Sequence, residues 1–383
     1  PQGPPFHTTF WPLQSDSEPR GFYPQTLRTL LHFRIGVFSI ELVITIGVIF
    51  IDKIFKIGVV ISQLSIMAAF RRKIYTKMLD WKDRYSNKYA LLIEGARRVG
   101  KTTIVEEFAK KEYESYLLID FTTATDETKQ WFKDYSDDLD TLFRQLQFRY
   151  STALKKGSVV IFDEVQAFPP ARQLIKHLVK DGRYSYIETG SLISLKQNVE
   201  GILIPSEEMR IQMHPLDFEE FLWAQGDVTT VDLLRESFRS LTPLGNSVHK
   251  HLMRKYTTYM LVGGMPQAVE AFVESNNFDE VETVKRTIID LYRDDTVKFK
   301  SDKGSKARRI LDRIPALLSK HDKRFSPSQL KKGSRTREYF DSVVWLGESK
   351  MVNVCHDVSD LDRPWNLASM ITPSSCTCLI RGF

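Results

Sequence analysis

Apolar positions fall in two rhythms along this chain, and the change between them marks its elements. From Phe70, the residues Ile74, Met78, Leu79 and Trp81 recur at helical spacing among Arg71, Arg72, Lys73 and Lys77, which predicts an amphipathic opening helix. Short apolar runs bounded by polar residues then predict buried strands at Tyr89–Ile93, Ser115–Phe121, Val159–Phe162 and Tyr184–Thr189, with Arg210–Met213 as a fifth. Helical periodicity fills the gaps at Thr102–Lys111, Leu139–Arg149 and Ala171–Lys180. Strands alternating with helices predict parallel βαβ units and a helix-flanked sheet. Beyond Asp217 the pattern turns helical: Asp217–Trp223, Val231–Phe238, His249–Leu261 and Asp279–Tyr292. Ile310–Leu318, Ser326–Leu330 and Arg335–Leu346, then a strand at Met351–Cys355, have the order of a small winged-helix unit.

A length of 383 residues suggests two or three domains, and 42% hydrophobic residues suffice for a sizeable core. The net charge of +6 suits phosphate ligands or nucleic acid without selecting either. The cysteines, Cys355, Cys376 and Cys378, lie together near one end and form neither a disulfide framework nor a zinc spacing, so a reducing cytoplasm is expected. Ile35 to Ile51 is strongly apolar but shorter than a bilayer requires, and Glu41 interrupts it, so a membrane span is not expected. Residues 1–66 read as upstream sequence outside the native domain, because the coherent pattern starts only at Met67.

The strongest chemical signal is Gly95-Ala96-Arg97-Arg98-Val99-Gly100-Lys101-Thr102, with Thr103 after it, lying between a predicted strand and a predicted helix. In G-x-x-x-x-G-K-[ST] the glycines let successive backbone N–H groups face phosphate oxygens at a helix N-terminus. Lys101 would reach the β- and γ-phosphates of ATP, and Thr102 would ligate Mg²⁺. Val159-Val160-Ile161-Phe162-Asp163-Glu164 supplies the second signal. Asp163 leaves the carboxyl end of a buried strand, where it would hold Mg²⁺, and Glu164 beside it would deprotonate the attacking water. In Glu188-Thr189-Gly190-Ser191 a hydroxyl, Thr189 before Ser191, would touch the γ-phosphate or the water.

Phosphoryl transfer also calls for an arginine, and Arg172, Arg183 and Arg210 fit equally by position. Arg97 and Arg98 are expected to face solvent or a partner. Gly263-Gly264-Met265-Pro266 reads as a turn between helices, and Phe218, Phe221, Leu222 and Trp223 as core. In the last predicted helix, Tyr339, Phe340, Val343 and Trp345 should pack inward with Arg337 and Glu338 outside. Lys331, Lys332, Arg335 and Arg337 at its start are a candidate DNA contact, opposed by Glu338 and Asp341.

From about Phe70 to Leu361 the sequence resembles prokaryotic AAA-type ATPases in which a P-loop domain precedes a domain of unknown function, sometimes with a restriction-endonuclease-like module at the end. The resemblance rests on Gly95–Thr103, on Phe162-Asp163-Glu164-Val165-Gln166 with Pro169, and on Thr189-Gly190-Ser191. It rests also on Pro215-Leu216-Asp217-Phe218-Glu219-Glu220-Phe221, Gly263–Pro266 and Leu291-Tyr292-Arg293-Asp294-Asp295. It implies ATP binding and Mg²⁺-dependent hydrolysis with no defined client. Residues 370–383 do not continue the family's pattern. A shifted frame near Ser369 permits the expected Ser-Asp-Thr-Gly-Leu, so Cys376 and Cys378 read as artefacts, a matter the gene's codons decide.

The expected fold is an α/β P-loop NTPase of the additional-strand type, with the P-loop strand central and the Asp163 strand not beside it. A helical domain and a winged-helix-like unit follow. The expected divisions are an extension (1–66), an ATPase domain (67–225), a helical domain (226–300), a winged-helix-like unit (301–358) and an aberrant tail (359–383). ATP hydrolysis coupled to an unknown client competes with a nucleotide-gated switch or DNA-binding module of slow turnover. ATP or ADP is the expected ligand, and homo-oligomerisation stays open.

Overall fold

The structure, a computed structural model, describes residues 70–191, 205–297, 302–319, 325, 330, 336–356 and 376–377. The extension 1–66, most of Ser326–Leu330, and Lys331, Lys332 and Arg335 lie outside them, as does the tail except Cys376–Thr377.

Helix α1 (Lys73–Arg84) leads into β1 (Ala90–Gly95), α2 (Lys101–Glu112), β2 (Tyr116–Asp120), α3 (Asp126–Asp134) and α4 (Leu139–Arg149). Strand β3 (Val159–Asp163), a single 3₁₀ turn (Val165–Ala167), α5 (Pro169–Asp181), β4 (Ser185–Ser191) and β5 (Glu208–Met213) complete the sheet region. The strand order is β2-β3-β4-β1-β5 and every pair is parallel. The P-loop strand β1 is therefore interior, and β4 separates it from the Asp163 strand, as the adjacent Asp-Glu pair predicts.

The period of two along each strand divides the core into two faces. Leu91, Ile93, Val159, Ile161, Ile187, Ile211 and Met213 pack with α1 and α2 on one side. Ala90, Leu92, Leu117, Ile119, Val160, Phe162 and Tyr186 pack with α3, α4 and α5 on the other. Phe121 and Phe162 meet Phe132 edge-on there, with centroids 5.4–5.6 Å apart. Full burial of each such side chain stabilises the fold by about 1.5–3 kcal/mol. Two-sided burial is why the strands read as continuous apolar runs.

Helix α3 is not evident in the periodicity. Its Asp126–Asp134 stretch carries few apolar residues, but Thr125 caps it by accepting from Thr128 N. Helix α6 (Phe218–Ala224) opens on a full capping box between Asp217 and Glu220. It buries Phe221 and Leu222, while Phe218 and Trp223 are half-buried, and Arg71 stacks over the Trp223 ring at 4.3 Å.

Helices α7 (Thr229–Ser240), α8 (Asn246–Val262), α9 (Pro266–Ser275), α10 (Phe278–Val297), α11 (Asp302–Leu318) and α12 (Thr336–Glu348) follow. Gly263–Met265 is the turn expected between helices, and Pro266 occupies the first turn of α9, a helix the periodicity had not separated. In α12, Tyr339, Val343, Trp345 and Leu346 are buried with Arg337 and Glu338 exposed. Phe340 is a correction: it is 47% exposed, because Tyr339, Val343 and Leu346 define the buried stripe and position 340 lies off it. The expected strand at Met351–Cys355 is also corrected. Met351 and Val352 are buried outside any strand, and the strand here is β6 (Cys355–His356), antiparallel to β7 (Cys376–Thr377). Among the described residues no helix is long and apolar enough to cross a membrane.

Candidate functional site

The phosphate loop runs from the end of β1 to the first turn of α2, at the carboxyl edge of the sheet. Its shape depends on left-handed backbone at Arg98 (φ 65°) and Gly100 (φ 90°). At Gly95 the constraint is space, since a Cβ there would sit 2.4 Å from Met213 O of the neighbouring β5. Ala96 and Val99 are buried and anchor the loop, Arg97 and Arg98 are exposed, and Thr103 is exposed on α2. Arg72, buried beneath, donates to Val99 O at 3.1 Å and His214 O at 2.5 Å and lies 3.3 Å from Glu220 Oε2. Nothing in the sequence singled it out from the basic residues around it.

Lys101 is 5% exposed and folds back across the loop, donating to Ala96 O at 3.1 Å and, at 3.4 Å, to Gly95 O. Burial holds its pKa below the ordinary lysine value, opposed first by the charge of Glu164 and then by that of Asp163. Thr102 Oγ1 donates to Asp163 at 2.9 and 3.0 Å, and Thr189 Oγ1 donates to Asp163 Oδ1. The same Thr189 oxygen accepts from Glu164 N at 3.2 Å. Burial raises the Asp163 pKa above the usual carboxylate range, and the hydroxyls of Thr189 and Thr102 partly offset it. Glu164 has left-handed backbone (φ 51°), and the Gln166 amide donates to its Oε2. Gln166 stands in the Phe162–Gln166 motif, but the sequence assigned it no role. A cleft of about 580 Å³, lined by Glu106, Asp120 and Tyr150 among others, opens beside Thr102 and Asp163.

The residues fit a polyphosphate with a hard divalent cation. A buried ammonium with a depressed pKa gains a counter-charge, and the hydroxyl and carboxylate of Thr102 and Asp163 are oxygen donors of the kind Mg²⁺ takes in small number. The described residues hold no cluster of three His, Cys, Asp or Glu residues suited to a metal, so phosphate and water oxygens would have to complete its shell.

Arg97 and Arg98 are exposed, and each also has a partner within the chain: Arg97 Nη1 lies 3.0 Å from Asp295 Oδ1, and Arg98 Nη1 donates to Gln267 Oε1 at 2.9 Å. Tyr292 Oη also donates to Arg97 O at 2.7 Å. The other three arginines are held elsewhere. Arg172 is bidentate to Glu208 at 2.7 Å, and Arg210 lies 3.4 Å from the same carboxylate. Arg183 binds Asp181 and Asp140 beside the amino end of β4, opposite the loop. Ser191 ends β4 in register with Gly95. Of the proposed DNA contacts only Arg337 is described, and it is exposed.

Residues 87–222 match the AAA domain family, and residues 253–364 match a domain of unknown function (DUF8612). No curated protein matches the chain. Among solved structures, the Thermotoga maritima RuvB Holliday junction branch migration motor aligns over 76% of this chain and 93% of its own, at 11% identity and TM-score 0.35. AMPPCP-bound DnaA from Aquifex aeolicus aligns over 73% and 88%, at 12% identity and TM-score 0.32. The chain thus carries an AAA domain followed by a domain of unknown function.

Proposed function

We propose that the protein binds ATP with Mg²⁺ and hydrolyses it to ADP and phosphate. The observation that carries this reading is the hub at Thr189, whose one oxygen donates to Asp163 and accepts from the Glu164 amide while Thr102 reaches Asp163 from the loop. Metal-holding and water-activating groups thus sit in one array beside a buried lysine. Lys101 would leave the loop carbonyls for the β- and γ-phosphates, and Thr102 and Asp163 would hold Mg²⁺, whose charge neutralises the phosphoryl oxygens. Glu164 would take the proton of the attacking water, with Thr189 fixing the turn that aims it. None of Arg172, Arg183 and Arg210 is poised to add positive charge at the phosphates.

Lys101→Ala should abolish binding of magnesium ATP, while Glu164→Gln should keep binding and lose turnover. Wild-type hydrolysis by Glu164→Gln would remove the base from this scheme. A nucleotide-gated switch is the second reading, favoured by the grip of Tyr292, Asp295 and Gln267 on the loop. Slow turnover unaltered by DNA, with tight ADP retention, distinguishes it from a DNA-stimulated motor. The cytoplasm fits the cysteine-poor body of the chain.

A further inference from the structure

The loop that would cradle phosphate is held from outside by the domain of unknown function. Tyr292 is 1% exposed, yet its hydroxyl reaches Arg97 O, 195 residues earlier, at 2.7 Å. One turn further along α10, the side chain of Asp295 (4% exposed) draws the half-exposed Arg97 guanidinium to the same helix. On α9, Gln267 receives Arg98, and Pro266 Cγ would lie 3.7 Å from a Cβ at Gly100. Contacts from two helices converge on the three loop residues 97, 98 and 100.

A trans peptide points its carbonyl and its N–H in opposite directions. Holding Arg97 O from the α10 side therefore turns Arg98 N–H away from that helix, toward the inside of the loop. Arg98 N–H meets no acceptor among the described residues, and its left-handed φ of 65° is a conformation that needs outside support.

We propose that Tyr292, seconded by Asp295, is a positioning residue for nucleotide: it fixes the peptide whose amide faces the phosphates, so the C-terminal domain sets the affinity of the AAA domain. This rests on the reading of the loop as a nucleotide site. Coupling is reciprocal, so nucleotide in the loop must also tighten α10.

The experiment is titration of magnesium ADP into wild type, Lys101→Ala and Tyr292→Phe, with hydrogen exchange of Phe278–Val297 followed in each. Tyr292→Phe removes one oxygen, and a hydrogen bond of ordinary net strength predicts affinity weaker by about two- to tenfold. Exchange in α10 of the wild type should slow on adding ADP, and slow less in Tyr292→Phe. If Lys101→Ala binds ADP like wild type, the nucleotide reading fails. If Lys101→Ala loses binding while Tyr292→Phe keeps wild-type affinity, the nucleotide reading stands and the positioning role is overturned. An α10 looser in the ADP-free variant at unchanged affinity, as a merely structural tyrosine would give, also overturns it. ADP that leaves wild-type α10 exchange unaltered does so without any variant.

Discussion

Gly264→Ala should unfold this protein more easily than almost any other single added methyl. A Cβ at Gly264 would stand 2.1 Å from Leu216 O and 3.1 Å from its C and N, all main-chain atoms that no rotamer change can move aside. Restoring ordinary contact distances requires the two backbones to part by roughly 1 Å or more. Two hydrogen bonds hold them together, Leu216 N to Gly264 O at 2.6 Å and Tyr259 Oη to Leu216 O at 2.9 Å. Losing both costs about 1–3 kcal/mol, and partial exposure of Leu216, now 1% exposed, adds about 1–2 kcal/mol. We therefore expect destabilisation of about 2–5 kcal/mol in urea denaturation followed by circular dichroism. Gly245→Ala is the control, because Gly245 has φ −59° and nothing near its missing Cβ, so its loss should stay below about 1 kcal/mol. Gly264→Ala melting within 0.5 kcal/mol (about the spread of neutral surface substitutions) would refute the close approach.

Thr189→Val keeps shape and volume but removes the hydroxyl shared by Asp163 and Glu164. A hydrogen bond to a charged group predicts a kcat lower by about ten- to a hundredfold, with ATP affinity near wild type and recovery in Thr189→Ser. Wild-type turnover by the valine variant would remove Thr189 from the site. Glu188 is wholly buried, and burial, then the charge of Glu208, pushes its pKa well above the usual carboxylate range. The folded state thus holds this proton more tightly than the unfolded chain, so stability is full at low pH and falls as pH rises through the raised pKa. Glu188→Met should flatten a plot of Tm against pH above the ordinary carboxylate pKa, where the wild type loses stability as pH rises, and parallel slopes would refute the assignment.

The loop, the Asp163-Glu164 strand end and the strand that separates it from β1 were legible because each rests on a local pattern. A buried strand must be apolar, a phosphate loop must have glycines, and an Asp-Glu pair implies a spacer strand. The supports of the site were not legible, since they come from afar. Arg72 precedes Val99 by 27 residues, and Asp295 lies 198 residues beyond Arg97. Nothing local distinguishes a tyrosine that grips a carbonyl from one that only fills a core. Helix α3 escaped notice because its start is marked by a cap, Thr125, rather than by an apolar stripe. Phe340 was misjudged because hydrophobicity alone does not fix on which side of a helix a residue sits.

Both neighbours of β1 in the sheet come late: Ser185–Ser191 and Glu208–Met213. A growing chain that has just released Ala90–Ile93 from the ribosome cannot yet pair that strand on either side. Roughly ten seconds of elongation pass before β5 emerges, and several more before Tyr292 does. Until β4 emerges both edges of this largely apolar strand stand unpaired, and one edge until β5 does, a template for association with other nascent chains. The order of synthesis therefore makes β1 the segment most in need of a chaperone, and it delays completion of the phosphate cradle until most of the polypeptide has been made.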